Sequence, residues 1–265
     1  MIDLPNSLGP QWMLIYGIFI SLFLNHQEEL QSKAKLTSKK LLELSIILLG
    51  SKLLISDMDS TIITVECIDE LADYAGIKPQ IAAITERAMQ GEIDFAEALK
   101  ERVAMLEGLE QGALEVTLAA VALSPGAETL VRTMAGNGVH TVLVSGGFGF
   151  FTEPVAAMAG VDETRSNRFE IADGRLTGRV IEPILGPEAK LETLTGLSAE
   201  RQISLAQTLA IGDGANDAPM IRAAGLGIAY RGKPVAREAA RARIEACGLT
   251  AALYMQGYRR DEFAR

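Results

Sequence analysis

Four short apolar runs constrain this chain more than anything else in it. LLIS (53–56) runs into Asp57, TVLV (141–144) into Ser145, TLAIG (208–212) into Asp213, and LGIAY (226–230) into Arg231. Runs of four to five apolar residues with helical stretches between them are the mark of buried parallel strands joined by crossover helices. Helices are expected at about 127–136, 149–160, 187–197, 216–224 and 234–241, with Pro187 and Pro234 suited to first-turn positions. FEIADGRLTGRV (169–180) alternates around Asp173–Gly174, a hairpin signal. The expected fold is α/β with a central, mainly parallel sheet. Ligands of such sheets bind at the carboxyl ends of the strands, so Asp57, Ser145 and Asp213 are placed to share one pocket. The stretch 64–125 shows no strand pattern, is rich in helix formers and is too long for one crossover. It is expected to be a helical insertion hanging over the strand ends as a lid.

Composition narrows the chemistry. The 265 residues hold 34 Asp and Glu against 25 Lys and Arg, a net charge of −9. That is a poor footprint for nucleic-acid binding, which is not expected. The two His (His26, His140) and two Cys (Cys67, Cys247) are scattered, so neither a zinc site nor a disulfide framework is expected; the reading is a reducing, cytoplasmic setting. Any catalysis must then rest on carboxylates, hydroxyls, Lys and Arg.

Four segments carry that chemistry. Asp57-Met58-Asp59-Ser60-Thr61 puts two carboxylates at i and i+2 beyond a strand, where one can attack phosphorus while the other moves a proton. The bland reading is a turn with capping Asp residues. Val144-Ser145-Gly146-Gly147-Phe148 offers a hydroxyl and backbone N–H groups to an anion at a strand-to-helix turn, or is simply a tight turn. Lys190, in GPEAK near a helix start, reads alone as a solvated surface residue. Gly212-Asp213-Gly214-Ala215-Asn216-Asp217 packs two carboxylates and an amide into five residues, a set of oxygen ligands suited to Mg²⁺.

Taken in order, these four segments resemble the motifs of the haloacid dehalogenase (HAD) superfamily of phosphohydrolases, and within it the phosphoserine phosphatases. The closer likeness is carried by Glu66 nine residues after Asp57, ITERAMQGEIDF (84–95), the Arg of KERVAML (100–106) and the tail YMQGYRRDEF (254–263); it spans about residues 52–265. The resemblance implies a Rossmann-like core over 51–265 with a helical cap inserted at about 66–124. It implies Asp57 as nucleophile, forming an aspartyl-phosphate, and Asp59 as general acid and then base. One Mg²⁺, for which Mn²⁺ can substitute, would be held by the Asp57 carboxylate, the Asp59 backbone carbonyl and Asp213. Asp217 would orient those ligands or Lys190. Ser145, the Gly146 N–H and Lys190 would bind the phosphoryl oxygens, with Asn216 completing the cradle. Glu66 would face the ammonium and Arg102 the carboxylate of O-phosphoserine, which would be split to serine and phosphate as the last step of serine biosynthesis. Met89 and Phe95 would wall the pocket, although core packing explains both equally well.

The first fifty residues depart from this pattern. Residues 12–24, WMLIYGIFISLFL, are uncharged, but thirteen residues cover only ~20 Å, short of a ~30 Å hydrocarbon core. Asp3 is the sole charge before them, so a signal peptide is not expected. The favoured reading is a buried element of a small N-terminal segment; membrane contact beside the basic cluster Lys33, Lys35, Lys39 and Lys40 is the alternative. Two other functional readings stand beside the leading one: a HAD phosphatase or phosphotransferase for another small phosphomonoester, and a membrane-tethered or non-catalytic binding module on the same fold.

Overall fold

Each of the four apolar runs forms a strand. The computed structural model describes residues 50–89 and 92–264. Residues 1–49, including the membrane contact considered for 12–24, and the side chain of Met89 lie outside the described residues. The strands are β1 (Leu53–Ser56), β2 (His140–Phe148), β3 (Glu163–Ala172), β4 (Arg175–Ile181), β5 (Thr208–Gly212), β6 (Leu226–Tyr230) and β7 (Ala242–Ile244). They form one sheet in the order β4-β3-β2-β1-β5-β6-β7. All neighbours are parallel except β3 and β4. From β1 the chain builds outward to one side through β2 and β3, then returns to build the other side through β5, β6 and β7. The winding reverses between β1 and β5, which opens a crevice beyond their carboxyl ends. This is the α/β, Rossmann-like core expected.

The helices are α1 (Cys67–Tyr74), α2 (Lys78–Met89), α3 (Phe95–Ala104), α4 (Gln111–Ala120), α5 (Ala127–Gly136), α6 (Gly149–Ala159), α7 (Glu188–Glu200), α8 (Ala218–Ala223), α9 (Pro234–Ala239) and α10 (Ala251–Met255). On one face, Leu194 and Leu197 of α7 and Met220 and Ile221 of α8 pack on Leu53, Ile55, Val142 and Ala210 of the sheet. On the flank toward β3, α5 and α6 pack on β2, and α6 also on β3. Leu53, Ile55 and Ile211 are fully buried. Each such side chain contributes ~1.5–3 kcal/mol, which fixes the strand ends that carry the site.

Between β1 and β2 the chain departs into α1–α4, which pack on one another, with α3 also against β4. The hairpin reaches this helical layer through its backbone. Gly108 N–H donates to the Leu176 carbonyl at 2.8 Å, Leu176 N–H to the Leu109 carbonyl at 2.9 Å, and Gln111 N–H to the Gly174 carbonyl at 2.9 Å. The turn itself sits at Asp173 and Gly174, with φ of 50° and 73°. Two consecutive left-handed residues make the tight turn that matches strand twist, the reason Asp-Gly marks it in sequence.

One expectation needs correction, and one strand was not expected. Ser145-Gly146-Gly147 is not the strand-to-helix turn itself, because β2 runs on to Phe148 and α6 starts at Gly149. Strand β7, only three residues with Arg243 in the middle, left no apolar run to find. Among the described residues no helix is long and apolar enough to cross a membrane.

Candidate active site

Asp57 follows directly on β1, and its N–H donates to the carbonyl of Ile211 on β5 at 2.9 Å. That bond carries the sheet one residue further and aims the carboxylate into the crevice. Asp57 Oδ1 accepts from the Met58 N–H at 2.8 Å and lies 2.7 Å from Lys190 Nζ. Among the described residues no protein donor reaches Oδ2. Lys190, in the first turn of α7, also lies 2.6 Å from Asp217 Oδ1. Asp217 Oδ2 accepts from the N–H groups of Asp213 and Gly214 at 3.0 and 2.8 Å. Lys190 is 1% exposed and Asp217 0%, so the lysine is no surface residue. Burial opposes its charge, yet Asp217 and Asp57 hold its pKa above the ordinary value. Burial, seconded by the Asp217 charge, pushes the Asp57 carboxyl well above its usual range despite the pull of Lys190. Gly212 is required here: a Cβ would lie 2.3 Å from Asp217 Cγ.

Asp59 stands between two parts of the fold. Its Oδ1 accepts from the Cys67 N–H at the start of α1 at 2.9 Å, and its Oδ2 accepts from the Ser145 hydroxyl at 3.2 Å. Ser145 Oγ in turn accepts from the Gly147 N–H at 2.9 Å. Burial, then the nearby Glu66 charge, raises Asp59 to about 6. A carboxyl titrating there both gives and takes a proton near neutral pH.

The helical layer supplies the opposite wall. Phe95, Leu99 and Arg102 are spaced by four and three residues, which aligns them on one stripe of α3 facing a cavity of about 140 Å³. The helix is set by a capping box, in which Asp94 Oδ1 accepts from the Glu97 N–H at 2.8 Å. Glu66 occupies the N-cap position of α1 without a side-chain capping bond, and its Oε1 accepts from the Ser60 hydroxyl at 2.7 Å. Arg102 makes one bond, from Nε to the Ala98 carbonyl at 3.2 Å. Burial lowers its pKa, against the pull of Asp69 and Glu66. Asp57, Asp59, Glu66, Arg102, Ser145, Gly146, Asp213 and Asn216 all line the one cavity. Lys190 and Asp217 are not among its lining residues; they sit behind Asp57.

The donor set suits a hard cation. One oxygen from each of Asp57, Asp213 and Asp217 lies within 4.8 Å of the others, about the span of opposite ligands on one Mg²⁺ (~4 Å). Three carboxylates face Lys190 and, at 3.6 Å from Asp213 Oδ2, Lys233. Asp213 is raised to about 6 by burial and then by Asp217. With both Asp217 oxygens already engaged, Asp57 and Asp213 are the carboxylates left facing the cavity.

Sequence reasoning missed Lys233, Cys67, Ile68, Leu99 and Phe148 in the lining. For Lys233 there was a signal: it lies just past β6 and before Pro234, at the same sheet edge as Asp213, whose carbonyl accepts its N–H at 2.7 Å.

The chain is similar to known proteins in sequence and fold. Residues 54–222 match the haloacid dehalogenase-like hydrolase family model. A phosphoserine phosphatase of Polaromonas is 47% identical over 204 residues, covering 75% of this chain and 86% of that protein. One from Streptomyces coelicolor is 43% identical over 213 residues, covering 80% of this chain and 52% of that protein, so the chain spans about half the length of that relative. A solved phosphoserine phosphatase, described as a phospho-aspartyl intermediate analogue, superposes with a TM-score of 0.71 at 36% identity, covering 77% of this chain and 98% of that one. With its four motif segments meeting at one crevice and the family match running through all four, the chain belongs to the haloacid dehalogenase-like hydrolases.

Proposed function

We propose that this protein is an Mg²⁺-dependent phosphoserine phosphatase, converting O-phosphoserine to serine and phosphate, the last step of serine biosynthesis. The observation that carries the reading is the pairing of two carboxylates two residues apart in one cavity. Asp57 is braced by Lys190 at 2.7 Å, and Asp59 titrates at about 6. The relatives described above support the substrate.

Asp57 attacks phosphorus while the bond from phosphorus to the seryl oxygen breaks. Asp59 donates its proton to that oxygen, and serine leaves. Asp59 then takes a proton from water, whose oxygen attacks the aspartyl-phosphate. The bond to Asp57 breaks and phosphate is released. Ser145, the Gly146 N–H and Asn216 bind the phosphoryl oxygens, and Lys190, 2.7 Å from Asp57, favours its ionised form against burial. Glu66 receives the substrate ammonium and Arg102 its carboxylate. Asp57, Asp213 and the Asp59 carbonyl would hold the metal, with Asp217 bracing them. Bound there, Mg²⁺ offsets the repulsion between a carboxylate and a phosphate dianion.

The test is turnover by Asp57→Asn and a substrate panel. Asp57→Asn is expected to lower kcat by about 10⁴-fold or more while the circular dichroism spectrum persists. Parental turnover in that variant would sink the mechanism. Across phosphoserine, phosphothreonine, phosphoethanolamine and sugar phosphates, the highest kcat/KM is expected for phosphoserine. Preference for a phosphomonoester without a carboxylate would replace the substrate.

A further inference from the structure

Where β2 passes β3 the ladder breaks. Val144 pairs with Arg165 and Phe148 with Asn167, so four steps along β2 match two along β3. The surplus falls at Ser145-Gly146-Gly147, and such a bulge turns backbone groups out of the ladder and re-aims them. Those groups then need partners from elsewhere. Asn167 supplies one. Its Nδ2 donates to the Gly146 carbonyl at 2.9 Å and to the Leu185 carbonyl at 3.2 Å, and its Oδ1 accepts from the Leu185 N–H at 2.7 Å. The residue is 2% exposed, so these bonds are shielded from water.

The consequence runs through one peptide plane. Fixing the Gly146 carbonyl fixes the amide it shares with Gly147, whose N–H donates to Ser145 Oγ at 2.9 Å. With that lone pair taken, the Ser145 hydroxyl points its proton at Asp59 Oδ2, 3.2 Å away. We propose that Asn167 is the positioning residue of the phosphate loop: from outside the cavity it sets the Gly146–Gly147 peptide and, through Ser145, the orientation of Asp59. The inference rests on the phosphoryl-binding role given to this loop above.

Asn167→Asp isolates the effect. The aspartate keeps an acceptor for the Leu185 N–H but replaces the donor to Gly146 with a second oxygen. Inorganic phosphate is expected to bind this full-length variant about tenfold more weakly by calorimetry. KM for O-phosphoserine and for an aryl phosphate is expected to rise by the same factor, because the loss falls on the phosphate end. Part of the loss is expected to return at acid pH, where a protonated carboxyl again donates to Gly146. Asn167 also lines a second cavity, distinct from the one holding Asp57, and the charged groups there that act on this titration are Glu153 of α6, Arg165 and Arg168 of β3, and Glu192 of α7. Parental phosphate affinity and an unshifted pH–rate profile in folded Asn167→Asp would overturn the proposal. Should that variant not fold, Asn167→Ala is read the same way, and ¹⁵N spectra of the parental protein serve as well. There the Asn167 side-chain amide signals are expected to move on phosphate titration; stationary signals would overturn the proposal. A parental protein that binds phosphate yet leaves O-phosphoserine intact would remove the proposed substrate and leave this inference standing.

Discussion

The two walls of the cavity are built on different principles. On the sheet side, Asp57, Lys190 and Asp217 form a buried knot, one lysine within 3 Å of both carboxylates. On the helical side, Glu66 and Arg102 are half-buried and lightly held, one by a serine hydroxyl and the other by a single carbonyl bond. The first arrangement is held rigid from within, with Asp57 Oδ2 left open toward the cavity. The second leaves its donors and acceptors to be finished by the substrate. On the proposed reading, chemistry is preorganised by the strands, while selection is delegated to the inserted helices.

Breaking the knot gives the largest expected effect. Lys190→Met keeps the volume but leaves Asp57 and Asp217 facing each other buried and unpaired. It is expected to cost about 3–5 kcal/mol by urea denaturation and to remove turnover. A loss below about 1 kcal/mol would mean the knot is not the rigid half of the site.

Arg102→Leu tests the other wall. KM for O-phosphoserine is expected to rise about 10–100-fold, with an aryl phosphate nearly unaffected and the thermal midpoint little changed. Equal losses on both substrates would erase the distinction between the walls. Acidity offers a finer probe. Because Asp213 titrates at about 6, it carries a proton below that pH and is a poorer ligand. Mg²⁺ affinity is expected to fall about tenfold from pH 7.5 to pH 5 by calorimetry, since about one carboxyl in ten remains ionised one unit below its pKa. A flat affinity over that window would take Asp213 out of the ligand set. The smallest effect belongs to Lys233→Met, whose ion pair with Asp213 is long and solvated. A stability change within about 1 kcal/mol is expected by thermal melting, and a larger one would enlarge the knot by a member.

The parts legible in the sequence are those whose partners lie close along the chain. The strand ends at 56, 212 and 230 are readable because the apolar runs stop at Asp57, Asp213 and Arg231, whereas β2 runs on past 144 to Phe148 through two glycines that no apolar run marks. The turn at Asp173–Gly174 follows from two residues that accept left-handed geometry. The cavity-lining Asp57, Asp59, Asp213 and Asn216 came from local spacing. Asn167 was not readable: its partner Gly146 is 21 residues away, across a bulge that only the sheet register reveals. Lys190 read by itself is an ordinary surface lysine, and only the fold puts two carboxylates around it. The surplus of acidic residues has a comparable lesson. Part of the −9 is spent inside, where Asp57, Asp213 and Asp217 crowd one edge of the sheet.

The bond from the Cys67 amide to Asp59 Oδ1 has a consequence for timing. It joins Asp59, proposed above to deliver the proton, to the first residue of α1, next to Glu66 at the N-cap. A carboxylate that loses such a donor becomes more basic and holds its proton longer. Were α1 to draw back, Asp59 would keep its proton. With α1 seated, the same carboxyl is readier to release it, so in the proposed mechanism the position of α1 also sets when the leaving oxygen is supplied with hydrogen.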